Sequence, residues 1–223
     1  MILALEFSSP QRSAAVAGGQ TRTAPLAEVV ETGGRGPAMI GLIEEALRHA
    51  QVEREQIECL AIGLGPGSYT GIRSAIALAQ GWELASGERK IKFIGLCSAD
   101  CIAAQAQTEG VTGRVAVVID AQRNEFYLAS YEIVSNGPRA VQPLRLASLL
   151  EVQARQQAGE ILVGPEVTKW FPIGRLVFPR AATLAQMALG QTEFGSAQNL
   201  QPIYLRETQF VKAPPPRILA SGS

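Results

Sequence analysis

Histidine is nearly absent from this sequence, whose 223 residues include one histidine, His49, and three cysteines. A metal site with two histidine ligands cannot be built from a single histidine. Cys59, Cys97 and Cys101 are too few for a disulfide framework. Cys97 and Cys101 are four residues apart and could share a thiolate metal site with a nearby aspartate, but two small buried residues are the preferred interpretation. The sequence predicts no metal site.

Net charge and long apolar runs are also missing. Lys and Arg together number 20, as do Asp and Glu, so the chain has no excess of positive charge with which to hold nucleic acid alone. No apolar run is long enough to span a bilayer, and the start Met-Ile-Leu-Ala-Leu-Glu lacks a basic leader region. Hydrophobic residues make up 47% of the chain. We therefore expect a cytoplasmic protein with a large core and no membrane contact.

The stretch from Leu60 to Ala85 reads LAIGLGPGSYTGIRSAIALAQGWELA and predicts a strand, a glycine-rich turn and a helix. Thr70 is the predicted helix cap. Four polar residues interrupt the apolar helix surface: Arg73, Ser74, Gln80 and Glu83. Such a helix has little surface for water, so we expect its own sheet on one side and another protein on the other.

The same turn is also compatible with phosphate binding, because a helix N-terminus presents free N–H groups. However, the turn lacks the Lys-Ser or Lys-Thr of a P-loop and the full dinucleotide fingerprint. A packing or interface turn is the favoured interpretation.

The chain repeats its own organisation. Predicted strands cover Ile2–Phe7, Ser13–Ala17 and about 20–26, a glycine-rich loop covers 31–37, and a helix covers Ala38–Ala50. A strand, turn and returning strand then recur from Arg114, and each copy has an acid near its first turn, Glu6 and Asp120. This pattern predicts a duplicated mixed α/β fold with lobes at 1–108 and 109–210 and a loose tail at 211–223.

Four segments carry a family resemblance: LALEFSSP, GLGPGSYTGIRSAIALAQG, VVIDAQRNEFYLASY and PIYLRE. They resemble the TsaB family, also called YeaZ, of the actin, sugar-kinase and Hsp70-like (ASKHA) fold. The resemblance implies a non-catalytic partner of TsaD in making threonylcarbamoyladenosine (t6A) in tRNA, with TsaE docking on the pair. It implies tRNA contact through the complex only. We also expect a homodimer in isolation, because the apolar surface must be hidden without TsaD.

The resemblance also assigns residues. TsaD binds metal with two histidines at a junction that here reads Gly95-Leu96-Cys97-Ser98-Ala99-Asp100-Cys101, so no catalytic or metal residue is assigned. The predicted partner-binding residues are Met39, Leu42, Ile43, Gly65, Pro66, Gly67, Ser68, Thr70, Gly71, Ile72, Arg73, Ala75, Ile76 and Ala79. The nucleotide-binding candidates are Glu6, Ser8, Ser9 and Asp120.

Glu6 stands where many TsaB sequences carry an aspartate, and a displaced carboxylate positions metal and water poorly. No cofactor is expected beyond a nucleotide at the composite interface with partners. The alternative is a stand-alone ATP-dependent small-molecule kinase or ATPase of the same fold. A metallopeptidase is disfavoured by the missing ligands.

Overall fold

The structure is a computed structural model that describes residues 1–18, 25–33 and 39–205, with backbone only for 25 and 26. The strands are β1 (Ile2–Glu6), β2 (Gln11–Ala17), β3 (Pro25–Thr32), β4 (Cys59–Gly63), β5 (Lys92–Leu96), β6 (Gly113–Asp120), β7 (Glu125–Val134), β8 (Gly137–Ser148), β9 (Ile161–Gly164) and β10 (Arg175–Leu176). The helices are α1 (Met39–Ala50), α2 (Tyr69–Ala85), α3 (Ser98–Thr108), α4 (Leu149–Gln157) and α5 (Ala181–Leu189).

The first sheet has the strand order β3-β2-β1-β4-β5, with β1 antiparallel to β2 and parallel to β4. Its central strands are buried on both faces, which explains the continuous apolar runs in the sequence. Helices α1 and α2 cover one face, and α5 covers the other. The second sheet, β10-β9-β6-β7-β8, repeats the strand order from the other edge. The predicted duplication of a mixed α/β unit is confirmed.

Each half of the chain contributes one helix that packs on the sheet of the other half. Helix α3 follows the last strand of the first sheet but packs on β6 and β7 of the second. Helix α5 follows the second sheet but packs on the first. The boundary predicted at 108/109 lies between the two sheets, while α3 packs on the sheet that follows it and α5 on the sheet that precedes it. Cys97 alone separates β5 from α3, so it is the direction of the chain at this junction, and not a long connection, that takes α3 to the second sheet.

Polar contacts fix the exchanged helices where they meet. The Thr183 hydroxyl donates to Gln105 Oε1 at 2.5 Å, and the Cys101 thiol donates to the Arg180 carbonyl at 3.4 Å. Arg180 also forms a bidentate ion pair with Glu28 of β3, at 3.1 and 2.6 Å. Because each contact joins residues more than 75 positions apart, it ties one half of the chain to the other.

The structure corrects the predicted cap of α2 and the predicted bounds of the third strand. The α2 cap is Ser68 and not Thr70, because the Ser68 hydroxyl accepts the Gly71 N–H. Strand β3 runs from 25 to 32, later than the predicted 20–26, and so takes the start of the predicted loop. Residues 19–24 and 34–38 lie outside the described residues, as do 206–223 with the predicted tail. Among the described residues, none of the helices combines the length and apolarity that a membrane crossing requires.

Candidate functional site

The glycine-rich turn packs tightly on the turn that follows β1. A methyl group added at Gly71 would lie 1.9 Å from the Phe7 carbonyl oxygen, and one at Gly67 would lie 2.1 Å from the Ser8 carbonyl oxygen. The Ser68 N–H already donates to the Ser8 carbonyl at 2.6 Å. The glycines are therefore needed for close backbone approach. This geometry supports the packing interpretation over phosphate binding.

The Glu6 side chain points into this packed region and has no exposed surface. One carboxylate oxygen accepts the Ser8 N–H at 2.8 Å, and the other accepts the Ser98 hydroxyl at 2.8 Å. Gly63 leaves the space, since a Cβ there would lie 2.1 Å from Glu6 Oε2. Burial raises the pKa of Glu6 despite these hydrogen bonds. Glu6 is thus fully buried and is not among the residues that line the cleft described below, so its place in a nucleotide site stays a prediction.

Ser98 joins three segments around this carboxylate. Its hydroxyl binds Glu6 and also accepts the Gly65 N–H at 3.1 Å, while its own N–H donates to the Gly65 carbonyl at 2.7 Å. The β1 turn, the glycine-rich turn and the start of α3 are thereby held together. Sequence reasoning missed this role, since a single serine after a strand carries no distinguishing pattern.

Asp120 occupies the equivalent place in the second half but remains accessible. Its Oδ1 accepts the Gln122 N–H at 2.7 Å, just as Glu6 accepts the N–H two residues on. Gln122, Arg123 and Asn124 all have a positive φ, near +60°, an unusual run for residues other than glycine. Asp120 is half-buried and lines a cleft between the two sheets.

This cleft has a volume of about 440 Å³ and lies where the turns after β1 and β6 face each other. The predicted candidates Ser8, Ser9 and Asp120 all line it. The lining also includes four residues that were not predicted from the sequence: Tyr69, Tyr127, Glu166 and Tyr204. The structure thus brings together three of the four nucleotide candidates.

A second concavity, of about 610 Å³, runs along the outer side of α2 beside the segment 202–204. We call it the α2 groove; it is lined by Tyr69, Thr70, Arg73, Ser74, Ile76, Ala77, Gln80, Pro202 and Tyr204. The Tyr69 and Tyr204 rings stack with centroids 5.6 Å apart, and the Arg73 guanidinium lies 5.1 Å above the Tyr69 ring. The Ile203 N–H donates to the Leu64 carbonyl at 2.9 Å, which anchors the segment against the first sheet.

The predicted partner-binding residues divide by exposure. Buried residues that form the support of the surface are Leu42, Ile43, Gly65, Pro66, Gly71, Ile72, Ala75, Ile76 and Ala79. Four of these, Leu42, Ile72, Ala75 and Ala79, are exposed to 0–1% only, so in the single chain they support the surface from below. Exposed or half-buried ones are Met39, Gly67, Ser68, Thr70 and Arg73.

The predicted partner-binding residues include only part of the exposed side of α2. Ala77, Gly81 and Leu84 follow Arg73 at helical spacing and are exposed, Leu84 to 77%. The sequence pattern is apolar on all sides, so it does not show which side faces the sheet. Ile40 on α1 is a further large apolar side chain that is exposed, to 56%.

The β5–α3 junction does not fit the metal that TsaD holds there. Asp100 Oδ1 accepts the Tyr131 hydroxyl at 2.6 Å, and Cys101 is fully buried with its thiol on a backbone carbonyl. Burial raises the pKa of Cys97 to about 11, which keeps the thiol protonated and a poor ligand. No group of three His, Cys, Asp or Glu side chains suited to a metal occurs among the described residues.

Comparison with known proteins agrees with this architecture. A sequence model of the family described as TsaD, tRNA N6-adenosine threonylcarbamoyltransferase, matches residues 37–186. The Escherichia coli K12 protein named tRNA threonylcarbamoyladenosine biosynthesis protein TsaB is 25% identical over 75% of this chain and 79% of its own length. The Haemophilus influenzae protein of that name is 32% identical over 57% of this chain and 52% of its own. The solved structure of YeaZ from Pseudomonas aeruginosa superposes with a TM-score of 0.74 at 22% identity, over 92% of this chain and 99% of that one.

Two sheets of the same strand order, an exchanged pair of helices and a cleft between the central turns define the class of protein as the ASKHA fold. The matching model covers more than half of the chain. The chain therefore belongs to the family that this model describes, and its relatives place it in the TsaB (YeaZ) group.

Proposed function

We propose that this chain is the non-catalytic partner of TsaD in tRNA t6A biosynthesis, with TsaE docking on the pair. The relatives are named for this pathway. The observation that carries the partner role is the exposed stripe of α2, where Ala77 and Gly81 allow close approach of another helix beside the α2 groove. The role would be cytoplasmic, with tRNA reached through the complex.

The side chains at Glu6 and at the β5–α3 junction support the absence of catalysis. Glu6, which stands where many TsaB sequences carry an aspartate, is buried, and its carboxylate accepts hydrogen bonds from Ser8 and Ser98. The β5–α3 junction supplies a serine, an aspartate and two cysteines whose groups are already engaged or protonated at neutral pH. In the described residues, the cleft lining contains no lysine or arginine to hold phosphates. These features support the partner role over the alternative of a stand-alone kinase or ATPase.

The exposed face should also mediate self-association when TsaD is absent. Leu84 and Ile40 are large apolar side chains that leave 77% and 56% of their surface to water in the single chain. Covering them in a homodimer would be favourable. TsaD and a second copy of the chain would then compete for the same face.

The decisive experiment is threonylcarbamoylation of tRNA with purified TsaD, TsaE and the enzyme that supplies the activated threonylcarbamoyl group, with and without this chain. We expect product only when the chain is present, while the chain alone turns over no ATP. Equal product without the chain would contradict the proposal. ATP turnover by the chain alone would support the kinase alternative.

Ala77→Arg tests the surface directly. Ala77 is exposed in the α2 groove, so a long charged side chain there should leave folding intact but block a helix from approaching. We expect TsaD affinity to fall by at least about tenfold, measured by calorimetry. The matched control is Ala140→Arg, the same change at an exposed position of β8. Unchanged affinity in Ala77→Arg, or an equal loss in both, would show that α2 is not the surface.

A further inference from the structure

The interlobe cleft has an unusual balance of charge. Its lining contains two carboxylates, Asp120 and Glu166, and in the described residues it contains no lysine or arginine. Three tyrosines, Tyr69, Tyr127 and Tyr204, complete the aromatic part of the wall. Carboxylates and the faces of aromatic rings both attract cations, and both repel phosphates. The cleft is therefore suited to a positively charged group.

Two cations of the chain already contact residues of the cleft lining. The Arg73 guanidinium lies over the Tyr69 ring on the side of the α2 groove and donates to the Tyr69 hydroxyl at 2.5 Å. The Lys169 ammonium pairs with Glu166, and its pKa is raised by Glu166 and, to a smaller extent, by Asp120. The Lys169 side chain is 67% exposed, so it can move away at little cost.

The cleft is continuous with the proposed partner surface. Tyr69 and Tyr204 line both the cleft and the α2 groove, and their stacked rings form the wall between them. Ser68, at the start of α2, lies on the cleft side, while Ala77 lies on the groove side. A protein packed along α2 would therefore stand directly beside the mouth of the cleft.

We propose that the cleft receives a guanidinium or ammonium group from a basic side chain of the protein that packs on α2. This inference rests on the proposed partner function and gives that partner a chemical requirement, a lysine or arginine beside its α2-contacting surface. The group would lie among the tyrosine rings and be held by Asp120 and Glu166.

Agmatine, a soluble alkylguanidinium, serves as the probe. We expect calorimetry to show agmatine binding to the chain and no ATP binding at the same concentrations. The Asp120→Asn, Glu166→Gln double variant should weaken agmatine binding by roughly tenfold. Asparagine at 120 keeps an oxygen for the Gln122 N–H, which preserves the backbone hydrogen bond of the turn, and loses only the 3.3 Å hydrogen bond from Gln122 Nε2. The control, Glu55→Gln with Glu88→Gln, removes the same charge from exposed positions outside the cleft lining.

Equal loss in both double variants, or ATP binding without agmatine binding, would overturn the proposal. A second arm separates the two sources of the cation. Agmatine affinity should fall when the chain is saturated with TsaD, because the partner's side chain then fills the cleft. Undiminished agmatine binding in the complex would show that the cleft takes a free ligand and would overturn the proposal. If no complex forms, the proposed function fails, while the first arm still reports on the cleft.

Discussion

Replacing Gly71 by alanine should lower the free energy of unfolding by about 3 kcal/mol, the upper part of the range for overpacking a tightly packed site. The added methyl carbon would lie 1.9 Å from the Phe7 carbonyl oxygen, a backbone atom that cannot rotate away. The start of α2 would have to move off the β1 turn. Urea denaturation followed by circular dichroism would measure the change.

Gly81→Ala is the matched control, because it makes the same substitution in the same helix. A Cβ at Gly81 meets no atom within 4 Å, and the position is exposed. Alanine should raise stability there by about 1 kcal/mol through helix propensity. A stable Gly71→Ala variant, within experimental error of wild type, would show that the two turns do not approach as closely as described.

Replacing Glu6 by alanine should cost about 2–5 kcal/mol of unfolding free energy, because it leaves a cavity and two buried donors without an acceptor. Those donors are the Ser8 N–H and the Ser98 hydroxyl. Glu6→Gln should be far milder at neutral pH. Its amide oxygen can accept the Ser8 N–H, and its amide nitrogen can donate to Ser98.

The sign of the pH dependence follows from the raised pKa of Glu6. The folded chain holds this proton more tightly than the unfolded chain, whose carboxyl has the ordinary pKa of 4.5. The stabilisation from the protonated form is complete below that value and is lost as pH rises through the folded pKa. Wild type should therefore lose stability relative to Glu6→Gln over this interval.

Denaturation curves for wild type and Glu6→Gln at a series of pH values from about 4 to 8 would measure this difference. We expect the stability of the variant relative to wild type to increase as pH rises above 4.5, because the folded pKa of Glu6 is raised. A difference that does not depend on pH, or that changes in the opposite direction, would contradict the burial of the Glu6 carboxylate.

Much of the architecture could be predicted from sequence, because local patterns carry it. Strands buried on both faces read as continuous apolar runs, and Asn136-Gly137 marks the β7–β8 hairpin, where Gly137 has φ +118°. The repeated acid, Glu6 and Asp120, correctly identified two equivalent turns. The long match around the glycine-rich turn identified the family.

The site was less predictable, because its geometry depends on residues far apart in sequence. Glu6 and Asp120 have similar local settings, yet one is buried and the other lines the cleft. Gly63 opens a space on β4, and Ser98 supplies a hydroxyl 92 residues away from Glu6. Neither residue has a pattern that points to Glu6.

The sequence by itself determined the two-lobed α/β fold, the family and the lack of a histidine pair, since apolar periodicity, turn chemistry and residue counts are local properties. The tertiary structure alone decided which side of α2 is exposed, which sheet carries α3 and α5, and how three tyrosines and two acids share one cleft. These features arise from packing between distant segments, in which each side chain competes for space and hydrogen bonds.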